Sequence, residues 1–543
     1  MSPALVLDPP CPTNSSILRL MKSTRQFFLL PSRRLIADCL GLQVQIYTEL
    51  KATFASGKSK PLAYRKYQLI QLAYLLKDNT KLFEESLASD LGRPQFEAKM
   101  LDIDPTLTEI KATLAGFEKW AKTESAPFSL NFSVMRPIIR KEPKGVVLLI
   151  APFNYPLFLT LPLLASAIAA GNAVVVKPTE NTPATTALLA DLVNKYMDTS
   201  LVRVVKGGVD ETTKLLEYTW GHILYTGGGQ VGKIISMAGA KTLSPVSLEL
   251  GGKSPVFIDP KCDLKIAAKR ILWGKAANAG QTCVAPDYII VQRDFQDTFV
   301  QALQDVYNEF YPDKASAPGQ MSRLVSARAF TRVSNLIKNT KGTIVFGGDT
   351  DEATKYIGPT VVKDVKPDDC LMSEEIFGPI LPIMPVDSVD EGLAYVNAHD
   401  HPLSVYVFTQ DSDFKAKIFN NTQSGSAMAN ETIIHPAIHG LPFGGIGPSG
   451  SGYHTGKYGF EMFTHLRSSI DSPSWIDMLL SWRYPPYSAA SLKAMARFTS
   501  AGLPPRPSGP PKAHVSRGYW SRWSTFLLAL VLAGGLMKRQ IKM

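Results

Sequence analysis

The sequence holds only five cysteines in 543 residues: Cys11, Cys39, Cys262, Cys283 and Cys370. None forms a C-x-x-C pair, and no Cys/His cluster has zinc spacing, so no metal site is expected. That scarcity excludes a disulfide-built scaffold and points to free thiols in a reducing compartment. Each thiol reads by default as a small buried hydrophobe, although one of them can serve as a nucleophile. Charge is sparse as well: 19% of residues are charged against 45% hydrophobic, which excludes wholesale disorder and predicts a large core in two or three domains. No internal repeat is visible, and the first 40 residues lack the apolar core and small-residue cleavage site of a secretory signal. The stretch from Ser15 to Arg34 is basic, free of acids and partly amphipathic, as transit peptides are; a variable extension leading into the first helix is the preferred reading.

Acidic residues are missing altogether after Asp477, where ten basic ones follow: Arg483, Lys493, Arg497, Arg506, Lys512, Arg517, Arg522, Lys538, Arg539 and Lys542. The formal net charge of +11 therefore sits almost wholly in the last 66 residues and leaves the body near neutrality. A nearly neutral body speaks against nucleic acid as a partner, and a polybasic tail suits anionic lipid headgroups. Within the tail, LPPRPSGPP (503–511) reads as an extended linker. Trp523–Met537 then gives fifteen uncharged, mostly apolar residues between Arg522 and Lys538. As a helix that run is about 22 Å long, short of the ~30 Å hydrocarbon core. Snorkelling Arg522 and Lys538, with Tyr519, Trp520 and Trp523 at the interface, supplies part of the difference. A membrane anchor that spans or lies in the interface is the expectation, with the catalytic body on the cytosolic side of the endoplasmic reticulum or another endomembrane; mitochondrial and peroxisomal membranes remain alternatives.

Between these ends the pattern alternates. GVVLLIAP (145–152), AVVVKP (173–178), LVRVVKGG (201–208) and GHILYTGG (221–228) read as buried strands. They are separated by helical stretches at 157–170, 185–197 and 211–218, the last with Asp210 as N-cap, and a further helix is expected over 231–242. A second set follows: PVFIDP, helix 263–277, YIIVQ, helix 294–310, TIVFGG, helix 389–398, SVYVFT and helix 412–420. The parse is two α/β domains with doubly wound parallel sheets, joined near Leu250–Lys253 and preceded by mainly helical residues 45–125.

Four stretches carry chemistry. Gly227-Gly228-Gly229-Gln230-Val231-Gly232 fits G-x-G-x-x-G between a strand and a helix, where glycines let backbone N–H groups approach a diphosphate. It follows the fourth strand of its set rather than the first, and a plain glycine-rich turn is the competing reading. Lys177 to Glu180 (KPTE) closes another strand, where an open sheet binds ligands; a solvated ion pair is the alternative. Glu249, in ELGGKSP at the interdomain joint, suits a general base if a cleft raises its pKa, or is an exposed turn carboxylate. Cys283, in NAGQTCVAP, lies between a helix and a strand, and a thiolate there attacks carbonyl carbon well if its pKa is lowered or a base is near.

Together these stretches resemble one family, the aldehyde dehydrogenases. PFNYP (152–156), GNAVVVKPTE (171–180), LYTGGGQVGK (224–233), LELGGKSP (248–255), NAGQTCVAPDY (278–288), EEIFGP (374–379) and LPFGGIGPSGSGYHTGKYGFEMFTHLR (441–467) occur in family order, with 34 residues from Glu249 to Cys283. The likeness runs from about residue 45 to 485 and is nearest to class 3, the fatty-aldehyde branch. It implies an aldehyde dehydrogenase fold: a Rossmann-like cofactor domain, an α/β catalytic domain and a small oligomerisation β-segment. It also implies Cys283 as nucleophile, Asn154 with the Cys283 N–H as oxyanion donors, and Glu249 as base. Glu375 is implied to hold the nicotinamide ribose with Phe377 beside the ring, Lys177 and Glu180 to flank the adenosine ribose, and Gly227 and Gly232 to lie at the diphosphate.

Two departures stand out. Phe153 replaces the Trp usual before the oxyanion Asn, which alters pocket shape more than chemistry. Gly228-Gly229 replaces residues that often include a hydroxyl donor to the cofactor. Glu180 should repel a 2′-phosphate, which favours NAD, although class 3 members often accept NADP too.

The resemblance partitions the chain into 1–44, a variable extension; 45–249, the NAD(P)-binding domain; 250–440, the catalytic domain; 441–485, a return to the cofactor and oligomerisation domain; 486–522, a Pro-rich basic linker; and 523–537, the anchor. A homodimer is expected, built through segments 128–140 and 460–470. The other four cysteines read as structural, and His435, His439 and His454 as packing or pocket lining. WIDMLLSW (475–482) reads equally as an amphipathic gate or a dimer-packing helix. The expected reaction is NAD(P)-dependent oxidation of a long-chain apolar aldehyde, with an apocarotenoid aldehyde as the alternative substrate. The competing functions are a catalytically inactive membrane scaffold of the same fold and a soluble dehydrogenase for small aldehydes.

Overall fold

In the computed structural model of the chain, residues 33–499 and 503–507 are described. The expectations for Cys11, for the start of the basic stretch and for the run Trp523–Met537 lie outside them. Among the described residues no helix is long and apolar enough to cross a membrane.

The apolar runs become strands because helices cover both their faces. Val146–Ile150, Ala173–Lys177 and His222–Thr226 are buried along their whole lengths. They form the centre of a six-stranded sheet, in spatial order Gly450–Ser451, Val246–Glu249, His222–Thr226, Val146–Ile150, Ala173–Lys177, Val202–Val204. All neighbours are parallel except Gly450–Ser451, which returns antiparallel beside Glu249 and Leu248. The helix Leu161–Ala170, buried at every residue, packs against this sheet and stops at Gly171, whose φ of 95° is the left-handed value that glycine tolerates. The helix over 211–218 is observed as Val209–Leu215. Its N-cap is Gly208, not the expected Asp210, because the Glu211 carboxylate reaches back to the Gly208 N–H at 2.7 Å. The expected helical periodicity of YRKYQLIQLAYLLKD is realised in Leu62–Asp78, with Leu69, Leu72, Leu75 and Leu76 buried.

A second, seven-stranded sheet runs Thr343–Phe346, Thr360–Lys363, Ile380–Val386, Tyr288–Gln292, Pro255–Ile258, Ser404–Phe408, Ser426–Ala429. Only its first pair is antiparallel. A small antiparallel sheet joins Glu124–Ser125, Ile138–Pro143 and Thr464–Ser469, with the last strand at its edge.

The described residues divide into two compact units, one of residues 33–126 and 137–469, the other of residues 127–136, 470–499 and 503–507. In the second unit Met135, Ile476 and Leu480 are buried together. WIDMLLSW is not one amphipathic helix there. It breaks into three short turns, Ser474–Ile476, Asp477–Leu480 and Ser481–Arg483, with Met478 and Leu479 exposed.

In the six-stranded sheet the carboxyl ends lie level: Ile150 is opposite both Lys177 and Tyr225, and Thr226 is opposite Glu249. That edge gathers ligand-binding groups in open parallel sheets.

Candidate active site

Cys283 follows the helix Leu264–Ala276 through a turn in which Asn278, Ala279 and Gly280 all have left-handed backbone, with φ of 52°, 53° and 71°. Two of these are not glycine, at a strain on the order of 1–3 kcal/mol each, so surrounding contacts must hold the turn. They do: the Asn278 N–H donates to Glu97 Oε2 at 3.2 Å, and its carboxamide donates to the carbonyls of Asn154 (2.9 Å) and Gln281 (3.0 Å). At Gly280 a Cβ would fall 2.2 Å from the Gly378 carbonyl oxygen, so the turn packs backbone to backbone against the segment carrying Glu375 and Phe377.

The turn delivers Cys283 to the wall of a cavity of about 250 Å³. Phe158, Leu159, Val284, Ile433, Ile434 and Phe443 make its lining mostly apolar. A wider groove of about 480 Å³ adjoins it through Met100, Pro105 and Ala437. Burial, then the charges of Glu249 and Glu375, push the Cys283 thiol up. Glu249 ends the strand Val246–Glu249 and is 2% exposed, and burial alone raises its carboxyl well above the ordinary range. Its Oε1 has no partner, and Oε2 lies 3.6 Å from His454 Nε2. Burial lowers His454 to about 4, so the imidazole is neutral and offsets no charge. Burial, helped by Asp287, raises Glu375 to about 8. Its carboxylate lies so close to Gly251 that a Cβ there would sit 2.2 Å from Oε2. Phe377 is left-handed (φ 44°), and its ring meets Phe153 edge to face at 5.8 Å. Asn154 is buried on the loop after Val146–Ile150.

The remaining expected residues lie along the same sheet edge. Lys177 is 2% exposed, its ammonium donating to the Pro178 carbonyl at 2.8 Å and lying 3.7 Å from the exposed Glu180. Burial lowers its pKa, partly offset by Glu180. An ammonium has three donors, so Lys177 can hold sugar hydroxyls. The Gly227 N–H donates to the Glu249 carbonyl at 3.0 Å, which fixes the loop to the strand end. At Gly228 and Gly229 an added Cβ would meet open space, and these residues begin the fourteen-residue helix Gly229–Thr242. Open glycines at a helix N-terminus fit a diphosphate, so the residues present suit a dinucleotide of the NAD type. Gly232 lies in the first turns of that helix, where a Cβ would press on Leu250 at 3.0 Å.

The sequence left some site residues unassigned. Arg93 and Asp102 form a fully buried ion pair at 2.8 Å that reaches the Asn154 loop. Nothing short of the fold brings them there, because they lie more than 50 residues away in the chain. His454, expected as packing or lining, is also a polar neighbour of Glu249, which the spacing does not reveal. His435 is buried against Phe443, and His439 pairs with Glu109 at 3.1 Å. Cys262 and Cys370 are partly buried free thiols.

Residues 45–469 match the profile of the Aldehyde dehydrogenase family. The chain belongs to that family. The rat protein "Aldehyde dehydrogenase family 3 member A2" is 42% identical over 82% of this chain and 91% of its own length. A dog "Aldehyde dehydrogenase, dimeric NADP-preferring" is 41% identical over 83% and 99%. "Beta-apo-4'-carotenal oxygenase" of Neurospora crassa is 39% identical over 90% of each chain. Among solved structures, a substrate-bound AldH of Staphylococcus aureus superposes with a TM-score of 0.81 at 38% identity, covering 84% of this chain and 98% of its own. The chain is thus an NAD(P)-dependent oxidoreductase of aldehydes with the aldehyde dehydrogenase fold.

Proposed function

We propose that the protein oxidises a long-chain apolar aldehyde to the carboxylic acid. The observation that carries this reading is the Cys283 thiol in the wall of an apolar cavity, with the Glu249 and Glu375 carboxylates close enough to raise its pKa. The Cys283 sulfur bonds to the aldehyde carbon, and its proton passes by way of Glu249 to solvent, which leaves Glu249 a carboxylate again. The Asn154 carboxamide and the Cys283 N–H donate to the carbonyl oxygen as charge develops. Lys177, Glu180, Glu375, Phe377 and the Gly227–Gly232 loop would hold the dinucleotide, which supplies the hydride acceptor that leaves the acyl group as a thioester on Cys283. Glu249 then takes a proton from the water that attacks this thioester and passes it to the departing Cys283 sulfur, and the acid is released.

The adjoining grooves support a long substrate. If chain burial drives binding, kcat/KM rises up to about fourfold per methylene until the cavity and groove are filled. A profile over aldehydes of increasing length, including a conjugated polyene aldehyde and comparing NAD with NADP, checks this, and a flat profile would sink it. An apocarotenoid aldehyde is the second reading, favoured by the likeness to the Neurospora crassa protein over nine-tenths of both chains.

The polybasic tail and the run Trp523–Met537 support tethering to an endomembrane, which would bring the pocket to a lipid-dissolved substrate. The full chain is expected to sediment with membranes, and a chain ending near residue 500 to stay soluble; if both stay soluble, the anchor is wrong. A homodimer fits the edge strand Thr464–Ser469, which offers unpaired backbone and an exposed Leu466 to a second copy. The partition into cofactor residues 45–249 and catalytic residues 250–440 is supported by the separation of the two large sheets.

A further inference from the structure

The Arg93–Asp102 pair is wholly removed from water, with both side chains at 0% exposure. A buried ion pair contributes little to stability on balance, so its other contacts bear on why it is there. Those contacts converge on the loop that carries Asn154. Arg93 Nη2 donates to the Asn154 carbonyl and, at 2.7 Å, to Asn278 Oδ1. Asp102 Oδ1 accepts the N–H groups of Leu157 at 3.1 Å and Phe158 at 2.6 Å. One ion pair thus grips the loop at both ends. The Arg93 guanidinium also lies over the Tyr155 ring at 5.1 Å, and the Tyr155 hydroxyl meets Thr282 Oγ1, the residue before Cys283, at 2.6 Å. Asn278, which Arg93 holds, is the first left-handed residue of the turn leading to Cys283. Arg93 Nε is buried without a partner, so the guanidinium is oriented by the two loops rather than by full satisfaction of its own donors.

We propose that Arg93, oriented by Asp102, is a positioning residue that fixes the Asn154 loop against the Cys283 turn and so sets the spacing of the oxyanion donors. This rests on the reading of Asn154 and Cys283 given above. A donor displaced by about 1 Å costs on the order of a hundredfold in rate, and the loss falls mainly on kcat because the oxyanion donors act on charge that develops only in the transition state.

The test uses the full chain and measures kcat, aldehyde KM, cofactor Kd and thermal midpoint. Arg93→Lys keeps the charge beside Asp102 but cannot span both the Asn154 carbonyl and Asn278. It is expected to lower kcat by about ten- to a hundredfold, with KM and Kd within about threefold. Asp102→Asn, which keeps the shape, should show a smaller loss of the same kind. Because Arg93 acts through Asn154, adding Arg93→Lys to Asn154→Ala should cost little more than Asn154→Ala alone. Full kcat in Arg93→Lys beside a crippled Asn154→Ala enzyme would overturn the clamp and leave the oxyanion reading standing. So would losses that multiply in the double variant, or failure of both conservative variants to fold, either of which indicates a purely structural pair. An Asn154→Ala enzyme at full rate would overturn the oxyanion reading, and the clamp with it.

Discussion

Cys283→Ala is expected to abolish aldehyde-dependent reduction of NAD, a loss on the order of 10⁴-fold or more, while cofactor binding persists. The size follows from covalent catalysis: without the sulfur no thioester forms, and among the described residues no other cysteine lines the cavity to take its place. Cys262 is beside Asp259, and burial with that carboxylate raises its thiol to about 11, so what separates it from Cys283 is its place and not its pKa. Cys370 is likewise raised by burial and Asp369, and its sulfur donates to the Leu336 carbonyl at 3.6 Å. Neither lines the apolar cavity, whereas Cys283 does. The measurement is steady-state absorbance of the reduced cofactor, paired with fluorescence titration of NAD binding. Full turnover in Cys283→Ala would show that another residue attacks the aldehyde. The raised pKa of Cys283 also predicts that thiol alkylation is slow at neutral pH and accelerates as pH rises, because only the thiolate reacts.

The strands that are buried on both faces could be read from the sequence because burial writes itself as uninterrupted apolar runs, as in Val146–Ile150 and Ala173–Lys177. Others escaped for local reasons. Ile380–Val386 contains Pro382 and Pro385, which ordinarily argue against a central strand, yet it pairs on both sides in the second sheet. Val246–Glu249 alternates Ser and Glu with its apolar residues, and Ser426–Ala429 consists of small residues and one Met. The Asp210 cap failed because the helix starts earlier, at Val209, where the Glu211 carboxylate accepts the Gly208 N–H and places Asp210 inside the first turn. At the site, Cys283 and Glu249 were weak signals singly and strong only as ordered motifs. Arg93 and Asp102 left no trace at all, since their meaning lies in contacts with Asn154, Leu157 and Phe158 that only the tertiary fold creates.

Glu249→Gln should separate the two halves of the reaction. Acylation survives in part, so the first turnover still yields a burst of reduced cofactor, but the thioester then waits for a base and steady-state kcat falls by about 10²- to 10⁴-fold. Stopped-flow absorbance reads the burst and the slow phase together; a variant that loses both equally would mean that Glu249 serves attack by Cys283 rather than hydrolysis. The pH dependence has a definite sign. Burial favours the neutral carboxylic acid, so the working carboxylate appears only at pH values above the ordinary carboxylate range, and kcat climbs as pH rises through that region. In Glu249→Gln this limb vanishes, whereas any limb near pH 8 from Glu375 remains. Stability moves the other way. A carboxyl whose folded pKa is raised binds its proton more tightly in the native state, so folding is favoured at low pH and loses stability as pH rises through the raised pKa. His454 is neutral and cannot counter the buried charge. Glutamine carries no charge to desolvate, and the thermal midpoint of Glu249→Gln at neutral to alkaline pH should therefore exceed that of the parent enzyme. A variant that is more stable yet nearly inactive identifies Glu249 as a group whose burial weakens the fold and serves the chemistry.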